Sequence, residues 1–265
     1  MADLVVESLC VSAGAQELVK GASFSASPGE MLVIIGPNGA GKSSLLQAII
    51  GIGPKIDGVA KVGSQALSKM RPTDRARLVG WLPQIVPQTW PITVRDSVAL
   101  GRFPHGSHPD RPSSEDRRAV DEAMAKCALE PLAHRTMPSL SGGEIARVHI
   151  ARTLASGAPI LLVDEPVAAL DPRHALTIMQ SLRNHANSSG IVVAILHDMG
   201  LAARFADRIL GMRDGGLLFD LAPAQAITPG NIATLFDVTA LVENGAGWPQ
   251  PTILAQINEG GGQRG

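Results

Sequence analysis

A glycine-rich octapeptide constrains the fold more than any other part of the chain. An apolar run at 31–35 leads into it, and a helical pattern that begins at Ser44 follows it. A strand, a glycine loop and a helix form the context that makes a G-x-x-x-x-G-K-[ST] match meaningful. Glycines let backbone N–H groups curl around a phosphate, and the helix N-terminus adds partial positive charge. We therefore predict a phosphate-binding loop whose residues are Gly36, Pro37, Asn38, Gly39, Ala40, Gly41, Lys42, Ser43 and the adjoining Ser44.

Two side chains of this loop suit the chemistry of a bound nucleotide. The Lys42 ammonium group can reach the outer phosphates, and the Ser43 hydroxyl can hold Mg²⁺. The alternative is an ordinary glycine turn before a helix, which the apolar run and the helical pattern make the weaker interpretation.

Bulk composition excludes several other classes of protein. The net charge is −1, so general affinity for nucleic acid is not expected. No apolar run reaches the ~20 residues needed to span a bilayer, and no secretory signal is visible at the N-terminus. Cys10 and Cys127 lack metal-site spacing and are expected to be free thiols. We expect a soluble protein that can still dock on a membrane partner.

Short apolar strands alternate with helical patterns, which predicts an α/β core. Two continuous apolar runs, 160–163 and 191–196, are typical of central parallel strands covered on both faces. Further strands are expected at Leu4–Ser12, Ala22–Ser27, Val59–Gly63 and Arg77–Leu82.

A region of different character, about 87–155, interrupts the strands. It is mostly helical, and Pro104, Pro109 and Pro112 break it. Ser114 is expected to cap the helix that follows these prolines. We predict a single domain at 1–257, with a core at about 1–86 and 156–257, a helical subdomain at about 87–155, and a flexible glycine-rich tail at 258–265.

The strand at 160–163 runs directly into Asp164-Glu165-Pro166. Two adjacent acids at the end of a buried strand are costly unless something uses them. Asp164 is the expected partner of Mg²⁺, and Glu165 lies where it can polarise an attacking water. The alternative is a solvated turn at a strand end.

Residues 140–144 read Leu140-Ser141-Gly142-Gly143-Glu144, just before a helix. Ser141 and Glu144 have the spacing of a capping box, which is a sufficient structural explanation for them. Two glycines in a first helical turn cost roughly 1–2 kcal/mol against alanine. Exposed N–H groups at a helix start bind anions, so the glycines point to close approach by a phosphate.

These three motifs, in this order, resemble the ATP-binding cassette (ABC) family over about residues 3–245. Three further positions match the family: Gln84 beside the metal site, Asp171 in the dimer-contacting loop after the catalytic acid, and His197 as the γ-phosphate sensor. The resemblance implies a P-loop NTPase (RecA-like) core with an inserted helical subdomain and an N-terminal antiparallel β portion. It assigns catalytic roles to Glu165, His197, Lys42 and Gln84, and Mg²⁺ contacts to Ser43, Gln84 and Asp164.

The resemblance also implies that two copies face each other head to tail. ATP would lie between the phosphate loop of one copy and Ser141, Gly142 and Gly143 of the other. ATP would close this pair, and hydrolysis assisted by Glu165 would reopen it.

One position departs from the family pattern. The family usually stacks adenine on an aromatic residue at the end of the first strand, and that position falls at Ala13. The chain has no tyrosine at all. Weaker nucleotide affinity and looser preference for adenine are therefore expected in the isolated subunit.

The kind of ABC protein follows partly by elimination. Lys42 and Ser141 are 99 positions apart (141 − 42), with no long coiled coil between them, and the chain has one cassette and no membrane span. The segment 101–105, Gly-Arg-Phe-Pro-His, resembles the ATPases of siderophore, haem and cobalamin importers. His105 and His108 are interpreted as polar loop residues rather than metal ligands.

The leading hypothesis is an ATPase, peripheral to the cytoplasmic face of the membrane, that powers import of a siderophore, haem or cobalamin. Its partners would be a second copy, a permease and a solute-binding protein. The permease would dock near Gln84 and the 87–98 segment, where Trp90 either contacts it or packs beneath a loop. The alternatives are a soluble ABC ATPase that remodels a complex and the ATPase of a separate-chain exporter.

Overall fold

A six-stranded, mostly parallel sheet forms the centre of the computed structural model, which describes residues 2–84, 90–108, 111–245 and 247–257. The strand order is β10-β9-β3-β8-β7-β6, and only β10 runs antiparallel to its neighbour. Every residue of β3, β7 and β8 is buried, as the continuous apolar runs predicted. The strands are β3 (Met31–Ile35), β6 (Val79–Leu82), β7 (Ile160–Asp164), β8 (Ile191–Ile195), β9 (Arg208–Arg213) and β10 (Gly216–Leu221).

An antiparallel sheet covers one face of this centre, in the order β2-β1-β4-β5. Helix α1 (Lys42–Ile49) packs against β1, β2 and β4 of this sheet and against β7. Leu45 and Leu46 of α1 are fully buried in the core between the two sheets. The phosphate-loop helix is thus held between two layers. The strands are β1 (Leu4–Ala13), β2 (Gln16–Ala26), β4 (Lys55–Val62) and β5 (Gln65–Ala66).

Helices follow β6 and precede β7. They are α3 (Val94–Ala99), a 3₁₀ helix at Leu100–His105, α4 (Ser114–Lys126) and α5 (Gly142–Ala155), with two further 3₁₀ turns at Glu130–Leu132 and Met137–Ser139. Helix α5 packs against α3, α4 and β6. The α/β core, the inserted helices and the N-terminal antiparallel sheet are confirmed.

The Gly-Arg-Phe-Pro-His segment explains how these helices are joined. The buried Arg102 donates a 2.8 Å hydrogen bond from Nε to Asp116 of α4. It also donates to the carbonyls of Ala155 and Ser156, at the end of α5. A Cβ on Gly101 would lie 2.2 Å from the Arg152 carbonyl, so glycine is required for this approach.

Five helices and a hairpin complete the chain. Helices α6 (Pro172–Asn187) and α7 (Met199–Phe205) flank β8, and a short 3₁₀ turn at Leu67–Lys69 and helix α2 (Pro72–Leu78) precede β6. Helices α8 (Pro223–Ala226) and α9 (Pro229–Phe236) lead into the antiparallel pair β11 (Val238–Gly245) and β12 (Trp248–Gln256). In the described part of the chain, no helix is long and apolar enough to cross a membrane.

Several boundaries predicted from the sequence were wrong. Ser113, not Ser114, caps α4, because its hydroxyl accepts from the Asp116 N–H and Asp116 completes the capping box. Strand β2 begins at Gln16 rather than Ala22, since Gln16, Glu17 and Val19 already pair with β1. Residues 77–78 end α2 instead of starting β6. Pro87, Pro109 and the tail at 258–265 lie outside the described residues.

Candidate functional site

Parallel strands bring the sequence motifs to one edge of the central sheet. Strand β3 ends at the glycine loop, β7 ends at Asp164, and β8 ends just before His197. Because β8 pairs with both β3 and β7, the carboxyl ends of all three lie side by side. Ligands of open α/β sheets bind beyond the carboxyl ends of the strands, which is where these residues meet.

The glycine loop is fitted tightly between the two sheets. A Cβ on Gly36 would lie 2.0 Å from the Met212 carbonyl oxygen, and one on Gly41 would lie 2.1 Å from the Leu18 carbonyl oxygen. Gly41 has φ 94° and directly precedes α1, so its left-handed conformation turns the loop into the helix. Gly39, with φ 81°, has open space where a side chain would be.

Lys42 is folded back onto its own loop. Its Nζ donates 2.8 Å hydrogen bonds to the carbonyls of Gly36 and Pro37. Burial lowers the pKa of Lys42, while the nearby carboxylates of Glu165 and Asp164 act in the opposite direction. The ammonium group is therefore held next to the backbone that the loop would present to a phosphate.

Asp164 carries a buried oxygen that nothing satisfies. The residue is 2 % exposed, and its Oδ1 has no hydrogen-bond partner. Burial raises the pKa of Asp164, and a hydrogen bond with Ser43 partly offsets this. An orphaned carboxylate oxygen beside a hydroxyl suits a hard divalent cation, because Mg²⁺ takes few protein ligands and keeps waters and phosphates as the others. Among the described residues, no group of three or more histidine, cysteine or acidic side chains forms a metal cluster.

Glu165 and His197 face each other across the strand ends. His197 Nε2 lies 2.5 Å from Glu165 Oε1. Glu165 has φ 52°, in the left-handed region that non-glycine residues rarely occupy. Both residues line a cavity of about 420 Å³ whose other walls come from 167–176 and the start of α7. The strained backbone conformation aims the carboxylate at this opening.

Gln84 lies beside these acids at the next strand. It follows β6 by two residues, and Leu82 at the end of β6 pairs with Val163 of β7. Its side chain is exposed. The structure thus places Gln84 at the same edge of the sheet as Asp164.

Ser141, Gly142 and Gly143 lie at the start of α5, which packs against α3, α4 and β6. Ser141 accepts from the Glu144 N–H, and the Glu144 carboxylate accepts a 2.7 Å bond from the Ser141 N–H, so the predicted capping box is formed. This bond to the Ser141 N–H and a second one with the Ser141 hydroxyl lower the pKa of Glu144. A Cβ on Gly142 would meet nothing within 4 Å. This helix start is open to an approaching group.

The expected dimer loop lies next to that helix start. A Cβ on Gly143 would be 3.2 Å from the Ala169 carbonyl oxygen. Asp171 caps α6 by accepting from the His174 N–H at 3.0 Å, which lowers the pKa of Asp171. Helix α1 packs against β1, β2, β4 and β7, whereas α5 packs against α3, α4 and β6. The phosphate loop and the glycines of α5 therefore belong to different packing neighbourhoods.

The remaining predicted positions have clear surroundings. Ala13 is exposed at the end of β1, where the strand carries no ring for a base. His105 donates a 2.7 Å hydrogen bond from its ring to the Ser156 carbonyl, in agreement with a structural role. The His105 contact agrees with the interpretation of this residue as structural, and the effect of Ala13 on adenine binding stays a prediction.

An apolar groove lies between α3 and α4. Trp90 is 64 % exposed and Phe103 70 % exposed, and with Leu100 they line a cavity of about 520 Å³. Trp90 is therefore not packed beneath a loop in this structure. Phe103 and Leu100 were not predicted as groove residues, although they lie in and next to the Gly-Arg-Phe-Pro-His segment at 101–105.

The glycine loop follows β3, and two acids lie at the end of β7, which is separated from β3 by one strand of the sheet. This arrangement defines a P-loop nucleotide-binding protein. The family model described as ABC transporter matches residues 19–168. The chain belongs to the ABC transporter family, as an ATP-binding and ATP-hydrolysing member.

Relatives and solved structures agree with this assignment. The chain is 38 % identical over 229 residues to the hemin import ATP-binding protein HmuV of Streptomyces coelicolor, covering 86 % of this chain and 81 % of that protein. It is 36 % identical over 258 residues to HmuV of Pseudomonas aeruginosa, covering 96 % and 100 %.

Among solved structures, one described as an inward-facing conformation of a metal-chelate type ABC transporter superposes with a TM-score of 0.79 at 25 % identity, covering 96 % of this chain and 98 % of that one. The dimeric ATP-binding cassette MJ0796, with ADP and Pi, gives a TM-score of 0.70 at 28 % identity, covering 83 % and 98 %.

Proposed function

We propose that this chain is the ATP-hydrolysing subunit of an importer for an iron chelate, with haem as the cargo. The observation that carries the proposal is the similarity to hemin import ATP-binding proteins, which extends over 96 % of this chain and the full length of one such protein. The cargo would cross through partner subunits, so no residue of this chain is assigned to haem.

The site residues are proposed to act on ATP as follows. Backbone N–H groups of 36–44, except at Pro37, which has none, would surround the β- and γ-phosphates. Lys42 would leave its loop carbonyls to bind these phosphates. Ser43, Asp164 and Gln84 would hold Mg²⁺, which neutralises phosphate charge. The buried, unpartnered Oδ1 of Asp164 supports this choice.

Glu165 is proposed as the general base. Its carboxylate opens onto the cavity beyond the strand ends and can accept a proton from water. Before ATP binds, His197 would hold the Glu165 carboxylate in place through their hydrogen bond. In the ATP-bound state, His197 would give up this hydrogen bond and contact the γ-phosphate instead. Water attacks the γ-phosphorus and gives a proton to Glu165, while the bond to the β–γ bridging oxygen breaks and ADP leaves with that oxygen. Release of phosphate and ADP, and loss of the proton from Glu165 to solvent or phosphate, complete one turnover.

The active unit is proposed to be a pair of copies. The open N-terminus of α5, with Ser141, Gly142 and Gly143, would bind the γ-phosphate held by the partner's loop. Asp171, in the loop that follows Glu165, would contact the partner copy. The separate packing of α1 and α5 supports a site shared between chains, as does the similarity to the dimeric cassette MJ0796.

The groove lined by Trp90, Leu100 and Phe103 is proposed as the docking site of a membrane permease. Its exposed apolar rings suit the apolar face of a short helix. The chain would then lie at the cytoplasmic face of the membrane, and a solute-binding protein would deliver cargo on the other side. The core at about 1–86 and 156–257 would hold ATP. The helices of about 87–155 would couple permease docking to the ATP site.

Affinity capture of the full chain from detergent-solubilised membranes tests this proposal. The expected result is co-purification of a many-spanning permease that stimulates the ATPase and is needed for haem uptake. A permease that exports its substrate would replace the importer assignment. A water-soluble complex in place of any permease would leave the ATP chemistry and overturn the transport role.

A further inference from the structure

The hairpin of β11 and β12 exposes an apolar edge that the proposed ATP chemistry does not use. All six residues of 252–257, Thr-Ile-Leu-Ala-Gln-Ile, are exposed, and none is charged. Ile253, Leu254 and Ile257 lie here, and Leu241 is exposed on β11. Within the described ranges, these four are the largest group of exposed large apolar side chains outside the docking groove.

The backbone of this segment is available for pairing. Strand β12 pairs with β11, and among the described residues no strand covers its other edge. Pro249 and Pro251 block pairing in the first half of β12, but 252–257 contains no proline. An exposed, uncharged edge strand is a template for addition of another strand.

The hairpin is fixed to the core mainly through β11. Val238, Ala240 and Val242 of β11 pack against the core, as does Trp248 at the start of β12. Among the described residues, no other strand pairs with the second half of β12, so 252–257 is available to another chain.

We propose that 252–257 pairs antiparallel with the same segment of a second copy, joining two hairpins into one four-stranded sheet. Antiparallel self-pairing places identical residues about a two-fold axis, as a symmetric dimer requires. The uncharged segment meets itself without repulsion between like charges. The choice of a second copy rests on the proposed function, in which two copies already meet.

The position of the hairpin supports this occupant. Strand β12 packs on α7. Leu201 of α7 and Leu170, which precedes the proposed dimer residue Asp171, line the same cavity as Glu165. The hairpin is thus attached to the element that borders the proposed dimer face, whereas the permease groove lies on α3 and α4.

This contact would have a consequence for turnover. The nucleotide-dependent contact is lost after each hydrolysis, but the hairpin contact does not involve ATP. Two linked contacts raise the effective concentration of the second one. The pair would therefore stay together between cycles.

A single-cysteine scan across 252–257 in the full chain, without nucleotide, tests the proposal. Cys10→Ser removes the half-buried thiol, and Cys127 stays because it is buried and burial raises its pKa to about 12. Oxidation should give disulfide dimers that peak at one or two neighbouring positions, because only residues near the axis bring their Cα atoms within about 7 Å. Ile52→Cys, exposed elsewhere, reports random collisions.

The pairing would be overturned if no position in 252–257 gave a higher yield of disulfide dimer than Ile52→Cys. It would also be overturned if all six positions gave equal yields. Cross-links from membranes to a different protein would overturn the choice of a second copy. A second measurement is sedimentation without nucleotide, in which Leu254→Lys, near the middle of 252–257, should weaken self-association about tenfold or more because the two like charges would lie close together. Leu218→Lys on β10 should have no such effect. No effect of Leu254→Lys would also contradict the pairing.

The same experiments separate this inference from the proposed function. If Glu165→Gln forms an ATP-dependent dimer but the scan gives no specific cross-link, only the hairpin contact fails. If the scan succeeds and Glu165→Gln combined with Leu254→Lys, which removes the hairpin contact, forms no dimer in ATP, the shared ATP site fails and the hairpin contact stands.

Discussion

His197 Nε2 lies 2.5 Å from Glu165 Oε1, joining the ends of two adjacent parallel strands. The register of β7 and β8 fixes this approach, since Asp164 pairs with Ile195 and each side chain follows within two residues. The left-handed conformation of Glu165 turns its carboxylate toward the histidine. The pair is therefore a product of the fold and precedes any bound nucleotide.

Replacing Glu165 with Gln should leave ATP binding intact and lower hydrolysis about 10²-fold or more, because the amide cannot accept the proton from water. In the Leu254→Lys background, which removes the proposed hairpin contact, the variant should accumulate as a dimer in ATP, which size-exclusion chromatography with phosphate-release kinetics will detect. Glu17→Gln, on the exposed part of β2, is the control. A variant that stays monomeric in ATP and hydrolyses at the parent rate would exclude Glu165 as the base.

Replacing Asp164 with Asn should stabilise the nucleotide-free protein and abolish Mg²⁺-dependent hydrolysis. Burial raises the pKa of Asp164 above its unfolded value of 3.8. At pH below 3.8 the carboxyl group is protonated in both states, and its contribution to folding stability is fully present. This contribution is lost as pH rises through the higher pKa of the folded state, because the buried group must then ionise. The Tm gain, about 2–4 °C for each kcal/mol, should be greatest at pH 8 and should shrink as pH approaches 4.

Thermal unfolding across this pH range provides the measurement. Asp57→Asn, at an exposed ion pair with Lys55, serves as the control and should change little. An Asp164→Asn variant whose Tm falls at pH 8 would show that the buried carboxylate is stabilised by contacts beyond those described here.

Breaking the Arg102–Asp116 pair should destabilise the protein strongly. The two side chains are 6 % and 10 % exposed, and Asp116→Ala would leave the guanidinium buried without its partner, at a cost of about 3–5 kcal/mol. Asp121→Ala, which breaks the Arg95–Asp121 pair at 42 % and 56 % exposure, should cost about 1 kcal/mol or less. Urea unfolding measures the free energy of unfolding of both variants. Equal losses of stability in Asp116→Ala and Asp121→Ala would contradict the prediction.

The same pair should contribute to acid stability. Hydrogen bonds from Arg102 and Ser113 hold the pKa of Asp116 well below its usual range. The contribution is present above the unfolded value of 3.8 and is lost as pH falls through the lower folded value. The difference between parent and Asp116→Ala should therefore narrow only in strong acid.

Replacing Ala13 with Tyr should tighten ATP binding about tenfold, because a ring at the end of β1 would stack on adenine. Titration of ATP and GTP by calorimetry will show whether adenine preference increases as well. Ala15→Tyr, in the exposed turn that follows, should leave the affinity unchanged. Equal gains from both variants would place the base elsewhere.

Replacing Trp90 with Asp should uncouple hydrolysis from transport. A charge in the apolar groove would weaken permease docking, while the loop and acids of the ATP site stay untouched. Basal ATPase activity should therefore persist, and its stimulation by the permease should fall. Leu218→Asp, on β10, is the matched control. If the permease still stimulated the ATPase activity of the Trp90 variant fully, the groove would not be the docking site.

The sequence predicted the central features of this fold because each had a local signal. The buried strands β3, β7 and β8 are continuous apolar runs, and Gly36, Asp164 and His197 follow from where those strands end. Strand β12 was missed because Pro249 and Pro251 interrupt the alternating pattern. The Glu165–His197 contact and the orphaned Asp164 oxygen depend on strand register, which no short sequence pattern specifies.

The packing of the glycine loop affects how variants of this chain are to be interpreted. Any side chain at Gly36 or Gly41 collides with a carbonyl of the neighbouring layers, so loss of function there reports a broken scaffold as much as a missing ligand. Gly39 meets no such wall, and asparagine tolerates its left-handed backbone. In a saturation screen, loss of function on Gly39→Asn would therefore indicate a need for nucleotide at this position rather than a broken scaffold.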